Sequence, residues 1–173
     1  MTDGEAFASI TGSGDDFQQA VALCESLGDY CLIGGLAINA HVEPVYTMDA
    51  DFVLSAAQLP RAQQALMEAG FVMEEFPHSL NALRPGSQLR IQFTKDPRYA
   101  AFPSRAERLE ILGQSLRVAA LTDLVQGKLW AWNDPQQRLS KRKKDELDLI
   151  RIGEKFPDFI PQLPPALREQ LAK

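Results

Sequence analysis

The amino-acid sequence predicts an α/β (α+β) fold: a core of mixed β-sheet and packed helices over residues 1–120, with a helical region over residues 121–173 packed on it as one structural unit. Three observations predict this. Short β-prone runs alternate with segments of helical period between Asp15 and Met73. Turn signals at Gly34-Gly35, Pro85-Gly86 and Gly113-Gln114 separate the runs up to Ala119. From Leu121 onward the pattern is helical.

In chain order, residues 1–14 hold little apolar pattern and several small residues, and are expected to fray. A helix follows from Asp15 or Asp16 to Leu27, with Phe17, Ala20, Val21, Cys24 and Leu27 as its buried stripe and Gly28 as its stop. Tyr30-Cys31-Leu32-Ile33 is short and apolar enough for a buried strand. Gly34-Gly35 then allows a tight turn into a short helix that begins near Leu36 and ends near His41. Glu43-Pro44 is a non-helical link into a second strand across Thr47 to Leu54. Ser55 to Ala69 reads as a helix with Leu59, Ala62, Leu66 and Ala69 on its apolar face, followed by a strand at Phe71-Val72-Met73. Leu80 to Leu83 and Leu89 to Phe93 form a hairpin about Pro85-Gly86.

Residues 95–108 read as a surface loop, either a nucleic-acid contact built from interleaved cations and aromatics or an ordinary loop pinned by Tyr99 and Phe102. Two short strands flank Gly113-Gln114. Thr122 is placed as the N-cap of a helix burying Leu124, Val125, Leu129 and Trp132, and Ser140 as the N-cap of a helix whose Leu147, Ile150 and Ile152 face inward. The end of the chain, past Phe156, reads as Pro-containing turns and a loose helix.

Composition bounds the function. A hydrophobic fraction of 45% and a charged fraction of 24% fit a soluble globular domain, and no apolar run approaches the roughly 20 residues that span a bilayer. The first residues lack the features of a secretory signal, so a cytoplasmic location without a membrane partner is expected. Cys24 and Cys31 have no metal-site or redox-motif spacing and read as reduced packing residues. Charge is uneven: −11 over residues 1–83, +8 over residues 84–144 and −2 over the remainder, out of a net −5. The split suits either metal ligands on one side with phosphates on the other, or two differently charged solvated faces.

The chemically distinctive stretch is residues 30–54. In the second strand, a period of two places Asp49 and Asp51 on one face, roughly 7 Å apart, while Met48, Ala50 and Phe52 point to the other. Two carboxylates so placed can share a divalent cation. Alternatively, they are surface acids on an edge strand. His41, close by in sequence, is a ligand or base, or a packed histidine bonded to a loop.

Gly34-Gly35 followed about a dozen residues later by Asp49-Ala50-Asp51 on a strand resembles the signature of the nucleotidyltransferase superfamily with the polymerase-β-like fold. It looks closest to the bacterial branch of AbiEii toxin-like (MNT-like) proteins. The resemblance implies that Gly34 and Gly35 hold a nucleoside triphosphate and that Asp49 and Asp51 hold catalytic Mg²⁺ (or Mn²⁺). Strand Leu89 to Phe93 would supply a third carboxylate from an apolar-acid-apolar triplet, but Gln92 stands there. An amide can ligate a metal or orient water but is a poor general base. Asp96 or Glu110 is the candidate to substitute for it.

The second half of the resemblance is an Asp-Leu-x-x-x-Lys helix at Asp123 to Lys128 and an Arg-x-Lys-Asp-x-x-Asp run at Arg142 to Asp148. It implies that Lys128 and Lys144 meet the triphosphate and that Asp145 assists catalysis. Lys141, Arg142, Lys143 and Lys144 also load cations into the positive end of a helix dipole, an arrangement disfavoured by roughly 0.3–1 kcal/mol each. Either local pairs (Lys141 with Asp145, Arg142 with Glu146, Lys144 with Asp148) or bound phosphate would compensate.

The expected activity is therefore transfer of a nucleotide from a Mg-bound NTP to an acceptor hydroxyl on RNA or protein, with a toxin-like role and an antitoxin partner. The alternatives are a non-catalytic nucleotide-sensing or protein-binding module that lost its third carboxylate at Gln92, and a phosphotransferase. Oligomeric state is left open.

Overall fold

The computed structural model describes residues 16–173, so the fraying expected of residues 1–14 falls outside the described residues. Six α-helices are used below: α1 (Asp16–Leu27), α2 (Gly34–Ile38), α3 (Leu59–Glu68), α4 (Leu121–Trp132), α5 (Leu139–Lys155) and α6 (Pro165–Leu171). The strands are β1 (Tyr30–Ile33), β2 (Asp49–Leu54), β3 (Val72–Phe76), β4 (Ser79–Leu83), β5 (Arg90–Thr94), β6 (Glu107–Ile111) and β7 (Gln114–Val118). They form one mixed sheet in the order β3-β4-β5-β2-β1-β7-β6, as the α/β reading expects.

Pairing places β2 in the middle of the sheet, antiparallel to β1 and parallel to β5, so the two aspartates are not on an edge strand. One face carries Tyr30, Leu32, Ala50, Phe52, Ile91 and Phe93, all fully buried. Tyr30 donates its hydroxyl to Glu25 Oε1 of α1 at 2.6 Å, which places α1 over this face. The ring of Phe52 lies 5.9 Å from that of Phe93 at its centre. Burying three aromatics here contributes on the order of 2 kcal/mol each. Helices α2, α4 and α5 pack together on the opposite face, the one with Asp51.

The structure departs from the expected elements where local rules met tertiary ones. Ser55 to Ala69 divides into a 3₁₀ turn at Ala56–Gln58 and α3, whose early Pro60 is tolerated in a first turn that needs no donor there. A hairpin pairing Val72 with Leu83 through Phe76 with Ser79 was not expected, because an edge strand reading Val-Met-Glu-Glu-Phe has no apolar alternation to announce it.

Thr122 and Ser140 are not N-caps. Their helices start earlier, after the extended residues Ala120 and Arg138. In the first case the Ala119 amide still bonds Leu32 O at 3.0 Å, so the chain leaves the sheet and enters the helix within two residues. Leu147 does not face inward: it is 47% exposed, while Leu149 and Ile152 are fully buried. The inward stripe of α5 is Asp145, Asp148, Leu149 and Ile152, spaced for one helix face but opening on two acids.

The acidic and basic parts of the sequence do not form two separate faces. Asp16–Arg84 at 2.7 Å, Glu25–Arg108 and Asp29–Arg117 at 2.9 Å and Glu75–Lys95 at 2.6 Å tie one to the other across the fold. Among the described residues no helix is long and apolar enough to cross a membrane. Cys24 and Cys31 are free and buried, and burial pushes both thiols up, Cys31 to about 12, which suits packing and not reactivity.

Candidate active site

Three central strands assemble the site. The antiparallel register sets Ile33 opposite Asp51, and the parallel register sets Asp49 beside Arg90 and Asp51 beside Gln92. Strand alternation then puts Asp49, Asp51, Gln92 and Thr94 on the face covered by the carboxy-terminal helices. The amide of Gln92 thus stands at the position beside Asp51 where the resemblance expects an acid. Asp96 is bound by its neighbour Arg98, with 2.6 Å between Nη2 and Oδ2, and Glu110 lies on edge strand β6. Neither lines the cleft that holds Asp51.

Gly34 is required by two independent features. Its φ of +75° lies in the left-handed region, and a Cβ there would strike Asp51 Oδ2 and come 3.2 Å from Asp51 Cγ. Backbone and carboxylate therefore touch because residue 34 has no side chain. Gly35 differs, since its Cβ would meet only Asp148 Oδ2 at 3.7 Å, an ordinary contact.

Asp51 is half-buried, and its carboxyl is raised to about 6, first by burial and then by the charge of Asp49; Lys128 and Lys141 pull it back down. Asp49 is more open and lies 3.9 Å from Arg90 Nε.

A cleft of about 130 Å³ lies between this sheet face and helices α4 and α5, lined among others by Gly34, Asp51, Gln92, Tyr99, Lys128 and Lys141. Tyr99 forms a wall: its hydroxyl donates to Gly127 O at 3.3 Å, and its ring meets those of Phe102 and Trp130 edge-on at 5.0 and 5.2 Å. A Cβ on Gly127 would be 3.0 Å from that ring, so the glycine lets the loop lie against α4. Arg98 stacks over Trp130 at 4.9 Å, and Arg105 chelates Asp123 at 2.9 Å twice. The segment 95–108 is thus a loop pinned by its aromatics, with its arginines engaged.

Lys128 lines the cleft, but its ammonium is held by Asp145 Oδ1 and Asp148 Oδ2, both at 2.7 Å. Burial works against its charge, yet the two carboxylates outweigh burial and hold its pKa above the usual lysine value. Gln137 Nε2 donates to the other oxygen of Asp145 at 2.5 Å, and Arg151 donates to Asp148 at 2.7 Å. Arg151 also donates to Asn39 Oδ1 at 2.9 Å and to the Glu43 carbonyl, which fastens α5 to the segment leading into β2.

Of the local pairs expected on α5, none forms among the described residues. Asp145 and Asp148 have turned inward to Lys128, and the observed surface pair is Lys143–Glu146 at 2.8 Å. Lys144 is exposed and does not line the cleft, whereas Lys141 does. His41 is half-buried outside the cleft, with burial lowering its pKa and its carbonyl accepting from Lys155.

The sequence reading brought Gly34, Asp49, Asp51 and Gln92 together, named Lys141 only as one of four cations that phosphate would compensate and Tyr99 only as a loop aromatic, and missed Thr94, Gln137 and Arg151. Extending the alternation by two from Gln92 would have found Thr94, and the i+3 spacing from Asp148 would have suggested Arg151.

No protein-family model and no curated protein matches the chain in sequence. Solved structures do resemble it. ANT(2'')-Ia in complex with adenylyl-2''-tobramycin is similar with a TM-score of 0.59 at 12% identity, over 94% of this chain and 98% of that one. The lincosamide antibiotic adenylyltransferase LnuA, lincomycin-bound, is similar with a TM-score of 0.53 at 12% identity, over 78% of this chain and 94% of that one. An antigenic nucleotidyltransferase-like protein from Paracoccidioides brasiliensis follows at 0.50 and 19%, over 88% and 78% of the two chains. At these identities the likeness concerns the backbone, and with the central Gly34 and Asp51 pairing it leads to one conclusion: the chain has the nucleotidyltransferase fold.

Proposed function

We propose that the protein transfers a nucleotide from a nucleoside triphosphate to an acceptor hydroxyl in the cleft above Asp51. The observation that carries this reading is the half-buried Asp51 carboxylate, raised by burial and by Asp49, and pressed against Gly34, which lines the same cleft. In this reaction the hydroxyl oxygen forms a bond to the α-phosphorus, the bond to the bridging oxygen breaks, pyrophosphate leaves, and the hydroxyl proton passes to solvent water.

Asp49 and Asp51, with the Gln92 carbonyl beside them, offer hard oxygen donors that fit Mg²⁺ or Mn²⁺ when substrate oxygens and water complete the set. No group of three or more His, Cys, Asp or Glu suited to a metal occurs among the described residues. Such a cation would offset the two carboxylates and polarise the phosphoryl oxygens. Gly34 and Gly35 let the phosphates approach the backbone, Lys128 and Asp145 shape the cleft wall, and Gln92 orients water or the hydroxyl without taking its proton.

The sheet face continues from Asp51 through Gln92 and Asn81 to Glu74, flanked by exposed Val72, Phe76 and Leu83. Arg90, on the same strand as Gln92, lies 3.9 Å from Asp49. A polynucleotide would meet carboxylates there, which favours a protein or small-molecule hydroxyl over RNA. Structural neighbours that carry antibiotics agree with a compact acceptor. The motifs around Lys128 and Asp145 resemble those of toxin-like nucleotidyltransferases, and a toxin-like role with an antitoxin partner is proposed on that resemblance alone.

A second reading, a nucleotide-binding module without turnover, is favoured by Gln92 standing beside Asp51. Both readings require binding, which melting curves test: Mg²⁺ with NTP should raise Tm in the wild type and not in Asp49→Asn/Asp51→Asn. An equal shift in the double variant would place the ligand elsewhere.

A further inference from the structure

We infer that Lys141, and not Lys144, is the side chain that meets the nucleotide's phosphates, while Lys128 acts as a strut that positions α5. This rests on the nucleotide-transfer reading. The two cations that line the cleft are Lys128 and Lys141. Lys128 is neutralised where it stands: with Asp145, Asp148 and Arg151 it forms a closed set of two positive and two negative groups, every link 2.7 Å long. A triphosphate reaching Lys128 would have to displace a carboxylate already bonded to it, or add a third anion to a buried ammonium.

Lys141 has no carboxylate partner among the described residues. It is exposed at the cleft mouth, one turn before Asp145, and its charge is felt at Asp51. Its neighbours on α5 are committed elsewhere: Arg142 donates to the Asp134 carbonyl at 2.8 Å and Lys143 pairs with Glu146. Lys144 is not one of the residues that line the cleft. An ammonium without a carboxylate partner among the described residues, at the mouth of the cleft, is placed to give charge-assisted hydrogen bonds to phosphate oxygens. Lys141 also sits in the first turn of α5, where a cation is disfavoured by the helix dipole unless an anion joins it.

The experiment measures Kd by calorimetry for Mg²⁺ with α,β-methylene-ATP, and for Mg²⁺ with inorganic tripolyphosphate, on wild type, Lys141→Gln, Lys141→Arg and Lys144→Gln. Lys141→Gln should weaken both ligands by roughly ten- to hundredfold, the usual loss for one charged hydrogen bond. Lys141→Arg should restore most of the affinity, and Lys144→Gln should change it by less than about twofold. Melting temperatures of the unliganded variants should match wild type, since both side chains are exposed. Wild-type affinity in Lys141→Gln, or an equal loss in Lys144→Gln, overturns the assignment and leaves nucleotide binding intact. If wild type binds neither ligand, the nucleotide reading and this inference fall together.

Discussion

Changing either glycine of the Gly34-Gly35 step to alanine adds one methyl group in adjacent places, and the structure predicts opposite results. At residue 34 the methyl must occupy a left-handed backbone, which costs an L-residue about 1–2 kcal/mol. It must also displace Asp51, whose Cγ and Cβ lie 3.2 and 3.3 Å from the new atom, an overpacking cost of about 1–3 kcal/mol. The sum is about 2–5 kcal/mol, or a fall in Tm of roughly 5–15 °C for a chain of this length. At residue 35 the methyl finds a contact at 3.7 Å in a helical turn, so the change is neutral or stabilising by up to about 1 kcal/mol. Scanning fluorimetry with and without Mg²⁺ and ATP reads both quantities. Gly34→Ala should melt low and lose the ligand shift, whereas Gly35→Ala should keep the wild-type melting temperature and show only a reduced shift, because the phosphates approach the backbone there. If Gly34→Ala melts like wild type and still responds to ligand, the close approach of backbone to Asp51 is not what forms the site.

The remaining predictions concern the charges around that contact. Lys128→Met leaves Asp145 and Asp148 buried with one partner fewer each and should cost roughly 3–5 kcal/mol in urea unfolding; adding Asp145→Asn should recover part of it, and a loss under about 1 kcal/mol would contradict the strut. Gln92→Asp places a third carboxylate beside Asp51, so the unliganded protein should melt lower while Mg²⁺ affinity or turnover rises; efficient wild-type transfer slowed by the change would put the base elsewhere. Asp51 titrates near pH 6, above its unfolded value, so its contribution to unliganded stability is full below about pH 4 and is lost as pH rises through 6. Metal binding needs the ionised form, so Mg²⁺–NTP affinity should fall up to about tenfold per unit below pH 6 in calorimetric titrations, and a flat profile between pH 5 and 7 would remove Asp51 from the site.

The central strands were legible because their signals are local. Tyr30 to Ile33 is apolar throughout, Asp49 and Asp51 share a parity, and Pro85-Gly86 sets the hairpin that carries Gln92. What escaped depends on contacts between distant segments. Asp145 and Asp148 sit at spacings that predict surface pairs along α5, yet Lys128, 17 residues earlier than Asp145, takes both because the two helices pack face to face. Once those acids turn inward, the polar stripe becomes the buried one, Leu147 is left outside, and Lys141 lines the cleft without a carboxylate partner among the described residues. Ser140 and Thr122 look like caps in isolation, but sheet geometry decided where α4 began. The basic segment around Arg98 and Arg105 looked available for nucleic acid only while Asp96 and Asp123 could not be placed beside it.

The most direct measurement is product analysis by mass spectrometry and pyrophosphate release, after incubating the protein with Mg²⁺ and each NTP together with whole-cell protein, small hydroxyl compounds or total RNA. The account predicts pyrophosphate and a nucleotide adduct on a protein or small-molecule hydroxyl, both absent from Asp51→Asn. Pyrophosphate and adduct formed equally by Asp51→Asn would contradict it, as would a wild-type protein that neither binds nor consumes any nucleotide.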